Sequence, residues 1–314
     1  MPLIAIDEAA AGQGNDDEEQ LREYCAQLEA GAILFFPQSP IRIAAEDLAF
    51  LLNQQQAGAG YHKNIAYRRS EDRVTGFVKS AHGSEEQLRK IMREYSQAVV
   101  EFLGRFLAPY QQRWQLDYAS YRPQPEESRQ LALRKRNDLM HTDAFPTRPT
   151  NGNRILRFFN NINPVESRNW VTGGAFGGLV RRFAVKEPAP AGKIALPSGV
   201  SSWSGLRRFR QAIGRFAPVH AIAPQWARSP YDAFMMDFHN FLKENADYQE
   251  NSQKEYSNFP PGASWMCYTD TISHAVLSGR FALEQTLLVR GEAMVNPEIS
   301  PLRILESMVG GRLV

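Results

Sequence analysis

The stretch that most limits what this chain can fold into is "GASWMCYTDTISHAVLSGRFALEQTLLV", residues 262 to 289. Its long apolar runs are rich in strand-forming residues and carry few charges, so it must lie inside a β structure. It reads as two long buried strands joined at Ser278-Gly279, a pair suited to a two-residue hairpin turn. In such a hairpin Leu277 faces Arg280, Val276 faces Phe281, His274 faces Leu283 and Ile272 faces Gln285. The inward face then holds Ile272, His274, Val276, Phe281, Leu283, Gln285 and Leu287. His274 runs toward the turn in an otherwise apolar strand, and Gln285 is the polar side chain on that face of the second strand.

The rest of the chain is organised around this β core. With 314 residues, 43% hydrophobic and 22% charged, the chain has the composition of an ordinary globular protein able to bury a large core. The first part, 1–113, reads as a mainly helical layer. "DDEEQLREYCAQLEAG" opens on acidic residues and stops at Gly31 as a capped helix does. "AILFFP" is a buried strand, and "AAEDLAFLLNQQQ" and "SEEQLRKIMREYSQAVVEFLGRFL" have helical spacing. From 114 to 314 the pattern turns toward β, with "RWQLDYASYRP" and "NRILRFFNNINP" as strands. A helical insertion is expected over 175–245, with helices at 175–186 and 201–245 around the loop "KEPAPAGKIALPSG". "TGGAFGG" lacks the spacing and context of a dinucleotide loop. Cys25 and Cys267 give no disulfide framework.

Chemistry enters at "RKRNDLMHTDAFPTRPTNGNRILRFFNNINP", residues 134 to 164. His141 and Asp143 are two apart, and on an extended segment such residues share a side. A pair of this kind is weak alone and reads equally as a polar strand end. With a second, strand-borne His it would make a two-His-one-carboxylate facial set, which leaves positions open on a non-haem iron. His274 meets that need. His239, in "YDAFMMDFHNFLKEN", reads as an ordinary histidine of an amphipathic helix, and His62 and His82 sit in polar loops. An anionic cosubstrate at such a centre needs a cation, which Gln285 cannot supply. Alternation on "NRILRFFNNIN" puts Arg157 and Asn161 on one face, so Arg157 is the first candidate clamp and Arg148 of "FPTRP" the second.

The two quoted stretches resemble the Kdo hydroxylases, Fe(II)/2-oxoglutarate-dependent dioxygenases acting on the Kdo sugar of lipopolysaccharide precursors. "GAILFFP", "YHKNIAYRR", "YASYRP", "SPYDAFMMDFHNFLKEN" and "SPLRILESM" extend the likeness from about residue 30 to the end. The resemblance implies one α+β dioxygenase domain over 1–314, a distorted double-stranded β-helix (jelly roll) with an N-terminal helical layer and inserted helices. It implies Fe(II) on His141, Asp143 and His274, with 2-oxoglutarate and O2 as cosubstrates; the strand faces read above put Arg157, Asn161, Gln285 and Arg148 as the residues expected around 2-oxoglutarate. The reaction implied is hydroxylation of C3 of Kdo in Kdo-lipid A. Arg122, His62, Lys63, Arg207 and Arg208 are the expected substrate contacts. This chain lacks the Arg that many jelly-roll oxygenases place after the distal His.

Two other chemistries use the same features. A Zn hydrolase could use the same three ligands, and an oxygenase could act on another substrate class. The formal net charge of +2 and pI near 8.5 are too mild to demand nucleic acid. In "SGLRRFRQAIGRFAP" the apolar Leu206, Phe209, Ile213 and Phe216 share one helix side, and Arg207, Arg208, Arg210 and Arg215 take the others. The N-terminus has neither a basic region nor an apolar part long enough for an export signal. A cytoplasmic enzyme in peripheral contact with the anionic inner membrane is therefore expected.

Overall fold

The computed structural model describes residues 2–7, 17–57, 64–79, 84–126, 131–197 and 228–314. In the N-terminal part, β1 (Leu3–Ala5) precedes α1 (Glu18–Glu29), β2 (Ile33–Phe36) and α2 (Ala45–Leu52). β3 (Ile65–Arg68), β4 (Arg73–Thr75) and the long α3 (Ser84–Phe106) follow. Asp17 caps α1 by accepting from the Glu19 and Gln20 amides, and Gly31 turns the chain out of it at φ 96°. β5 (Trp114–Arg122), β6 (Arg154–Asn161) and β7 (Arg168–Ala175) lead to α4 (Phe176–Phe183). β8 (Ala184–Val185) and β9 (Ile194–Ala195) form a small ladder of their own. The last part holds α5 (Pro230–Glu244), α6 (Ala246–Asn251), β10 (Glu255–Phe259), β11 (Ser264–Tyr268), β12 (Ile272–Ser278), β13 (Ala282–Val289) and α7 (Pro301–Val309).

An eight-stranded sheet runs β1-β2-β11-β6-β13-β5-β3-β4, and a three-stranded sheet runs β10-β7-β12. Ile33, Phe159, Trp170, Phe259, Trp265, Cys267, Ile272 and Val276 join the two sheets in one apolar cluster. The other face of the large sheet packs on α1 and α3 through a cluster that includes Leu28, Phe102, Phe158, Tyr268 and Leu283. The small sheet carries α4, α5 and α7 on Val171 and Ala275. β1 to β4, from the N-terminal third, take both ends of the large sheet, so the expected boundary at 113/114 runs through one sheet.

The opening stretch differs from its expected form. β12 pairs with β7, whereas β13 lies between β5 and β6. The two strands belong to opposite sheets and the segment between them turns a corner. Gly279 (φ 108°) and Phe281 (φ 58°) both have left-handed backbone there. A Cβ on Gly279 would meet the Arg168 Cα at 2.9 Å. Crossing from one sheet to the facing one reverses which residues look inward. Leu283 and Leu287 pack in the cluster beneath α1 and α3, and Gln285 accepts from Ser96 of α3 at 2.7 Å. Glu284 is the residue that points to the interior, where it meets arginines of β5 and β6.

Candidate metal centre

The HxD segment is held in place by the strand beside it. His141 and His274 exchange both backbone hydrogen bonds, at 3.0 and 2.9 Å, and the Asp143 amide donates to the Thr269 carbonyl at 2.8 Å. His141 is 4% exposed, and its Nε2 stands 3.5 Å from Asp143 Oδ1. The sequence spacing therefore does what extended backbone requires, with both side chains aimed into the same buried space.

The third donor comes from a helix. His141, Asp143 and His239 place ligand atoms within 4.8 Å of one another, and they are the group of that kind among the described residues. The ring centroid of His239 is 4.7 Å from that of His141, and that of His274, the strand histidine read as the third ligand, is 4.9 Å from it. That histidine is a backbone neighbour of His141 and its ring stacks on Trp170, centroids 5.1 Å apart and planes 17° from parallel. It lies against the cluster without belonging to it. His239 is on the buried stripe of α5, with Asp232, Met235, Phe238 and Leu242. The helix is stapled to the HxD loop twice. Asp232 accepts from the Thr150 and Asn151 amides at 2.7 and 3.2 Å, and two turns later the His239 Nδ1–H donates to the Thr142 carbonyl at 2.8 Å.

The charge states suit a divalent cation. Nδ1 of His141 donates to the Leu139 carbonyl at 2.7 Å, so the Nε2 lone pair of each cluster histidine is its available ligand atom. Burial holds the His141 imidazole well below its usual range, hence neutral. Burial pushes the Asp143 carboxyl up, but the Arg157 guanidinium beside it outweighs this and holds it well below the usual range. A neutral His141 imidazole, a second histidine and an ionised carboxylate form the kind of donor set that a non-haem iron takes while keeping positions open. Burial also pushes the nearby Cys267 thiol up, so it stays protonated and does not compete as a thiolate.

Around the cluster the interior is ionic. Arg157 donates to Asp143 at 3.0 Å and to Glu284 at 2.9 Å. Glu284 also accepts from Arg122 at 2.8 Å; Arg122 reaches Glu126 at 3.3 Å, and Glu126 accepts from Arg168 at 3.2 Å. Burial alone would raise the Glu284 carboxyl; Arg122 and Arg157 outweigh it and hold the group below its usual value. Arg157 is thus inside the site as alternation predicted, and its Nε is buried with no hydrogen-bond partner among the described residues. Such an orphaned donor suits an anionic cosubstrate.

The other expected residues separate. Arg148 pairs with Asp117 at the rim. Asn161 is spent on loop backbone, donating to the Glu166 and Phe259 carbonyls, and Gln285 faces α3, so neither borders the cluster. Both were placed there by a face count that the corner at Gly279 and the loop after β6 invalidate. Arg122 stands in the ionic row. His62, Lys63, Arg207 and Arg208 lie outside the described residues. No helix among the described residues is long and apolar enough to cross a membrane.

Comparison with known proteins gives the family and the fold. Residues 11–312 match the family model described as 3-deoxy-D-manno-oct-2-ulosonic acid (Kdo) hydroxylase. Solved structures of the Kdo hydroxylase KdoO, a non-heme Fe(II) alphaketoglutarate dependent dioxygenase, superpose over the whole chain. Its complex with alphaketoglutarate and Fe(III) is 29% identical, with TM-score 0.79, covering 100% of this chain and 98% of that one. Its cobalt(II) complex is 30% identical, with TM-score 0.80 and the same coverage. No curated protein matches the sequence.

Proposed function

This chain belongs to the Kdo hydroxylase family of Fe(II)/2-oxoglutarate-dependent dioxygenases, and on that premise we propose that it hydroxylates C3 of Kdo within Kdo-lipid A, with iron on His141, Asp143 and His239. The observation that carries this reading is the buried cluster of those three donors. In a 3-deoxy-2-ulosonic acid C3 is a methylene, so adding oxygen there means breaking an unactivated C–H bond. Iron bound with 2-oxoglutarate and O2 supplies an oxidant for such bonds, and succinate and CO2 are the co-products.

The protein's part is binding and exclusion. His141 and His239, each fixed through Nδ1 to a backbone carbonyl, hold their Nε2 atoms in a set geometry. Asp143 supplies the anionic ligand, and Arg157 steadies its second oxygen. Arg157 is also the proposed partner of the far carboxylate of 2-oxoglutarate, through donors beyond those on Asp143 and Glu284. The aromatic cluster of Phe159, Trp170, Phe259 and Trp265 closes the space between the sheets behind the site.

Peripheral contact with the anionic membrane face is proposed for "SGLRRFRQAIGRFAP", whose arginines would each contribute about 1 kcal/mol near such a surface. Binding of the enzyme to anionic vesicles should weaken as salt rises, and an Arg207/Arg208/Arg210→Gln variant should bind them less. Vesicle binding that is equal in both proteins across a salt series refutes the contact. The decisive test of function is mass spectrometry of lipopolysaccharide from a host with unmodified Kdo expressing this protein. A gain of one oxygen located on C3 of the sugar is expected; unchanged Kdo, or oxygen on another carbon, overturns the reading.

A further inference from the structure

Three of the interior arginines are matched by three carboxylates. Arg157, Arg122 and Arg168 share Asp143, Glu284 and Glu126, and their side chains are at most 13% exposed. Arg148 is different. Its side chain is 33% exposed, it follows Asp143 by five residues, and NH1 to Asp117 is its one hydrogen bond among the described residues. The guanidinium lies over the Tyr118 ring at 4.1 Å and over the Phe145 ring at 4.4 Å. Arg157 lies 5.8 Å from the same Phe145 ring, and both arginines act on the Asp117 carboxyl. Arg148 is therefore a partly open cation that shares the Phe145 ring with Arg157 of the ionic row. On the outward side Arg68 lies over Tyr118 at 5.1 Å.

A guanidinium held against aromatic rings keeps its planar N–H edge fixed, and such an edge matches a carboxylate. Little side-chain freedom is then lost on binding. The substrate, on the proposed reading, carries its carboxylate on C2, the atom bonded to the C3 that must face the iron. Whatever holds that carboxylate must therefore stand at the rim of the metal site rather than on a remote surface. We propose that Arg148, braced by Tyr118 and Phe145, is the receptor for the sugar carboxylate and sets which carbon meets the oxidant. This inference rests on the Kdo reading.

The test compares wild type with Arg148→Met on Kdo-lipid A and on the same lipid with its Kdo carboxylate methyl-esterified. Succinate and hydroxylated sugar are counted separately. Wild type is expected to show a KM about 10- to 100-fold lower for the acid than for the ester, the size of a charge-assisted contact. The variant should lose that preference and make succinate with little hydroxylated sugar. Arg148→Gln decides the same point should the methionine variant fail to fold. Acid preference that survives in the variant overturns the proposal. A raised 2-oxoglutarate requirement with acid preference intact also overturns it and makes Arg148 the cosubstrate clamp. Wild type that forms succinate but hydroxylates neither lipid refutes the Kdo reading itself, and this inference with it.

Discussion

Strand β6 carries two buried arginines three residues apart, and they serve different ends. On one face Arg154, wholly buried, donates to Asp270 at 3.0 Å, bonds Thr271 and lies 4.2 Å over the Tyr268 ring. On the other, Arg157 bridges Asp143 and Glu284 beside the metal cluster. The carboxylates respond in opposite senses. Burial raises the Asp270 carboxyl and its one arginine does not reverse this, whereas Arg122 and Arg157 together outweigh burial at Glu284 and lower it. One guanidinium per buried carboxylate makes a closed structural clasp. Carboxylates shared between arginines make an ionised row that ends on a ligand. A buried arginine is therefore no mark of a site until its partners are counted.

The largest effects should come from the ligand end. His239→Ala or Asp143→Ala is expected to lose stoichiometric iron and essentially all turnover, beyond the roughly 100-fold seen for residues that only support a ligand. His274→Ala should keep its iron and lose about 10- to 100-fold in activity at most. Iron content measured after anaerobic loading separates them; an iron-free His274→Ala beside an iron-loaded His239→Ala would restore the strand histidine as the ligand.

Next comes Arg154→Met, which strands Asp270. A loss of about 3–5 kcal/mol in unfolding free energy is expected, with kcat of the folded fraction unchanged. Denaturant titration and active-site counting check it, and a stable but inactive variant would erase the distinction between the two faces. Arg157→Met should reverse the balance, raising the 2-oxoglutarate requirement by about 10- to 100-fold, as loss of a charge-assisted contact implies. Equilibrium binding of 2-oxoglutarate to the anaerobic iron form measures this directly.

The smallest effect is a matter of sign with pH. The lowered Glu284 carboxyl contributes stability that is present above its ordinary value of 4.5 and is lost as pH falls through its folded value. The raised Asp270 carboxyl contributes most below its ordinary value of 3.8 and loses that contribution as pH rises through its folded value. The stability gap between wild type and Glu284→Gln should therefore shrink on acidification below about pH 4.5, while the gap for Asp270→Asn should widen toward low pH. Parallel changes in the two gaps, followed by urea unfolding at a series of pH values, would break the comparison.

Much of this was legible in the residues because it depends on neighbours along the chain. Capping and helical spacing placed α1, α2 and α3, and the apolar runs placed β2, β6 and β13, whereas β11 and β12 read as one strand. The extended spacing of His141 and Asp143 set them on one side, and alternation turned Arg157 inward. Other strands escaped notice: β7, with "NWVTGGA", is masked by glycines, and β10 is an exposed edge strand without a strong apolar pattern.

What only the tertiary structure decided is pairing across distance. Strands buried on both faces carry no local mark of their partner, so β12 and β13 read as a hairpin although they lie in facing sheets. That corner reversed the inward set and exchanged Gln285 for Glu284. A helix likewise shows which face is apolar but not what the face meets. That His239 stands beside His141 and Asp143 follows only from Asp232 and Thr142 fixing α5 against the HxD loop. The local periods of 2 and 3.6 residues belong to the chain itself. The histidine cluster and the ionic row exist only where separate elements converge.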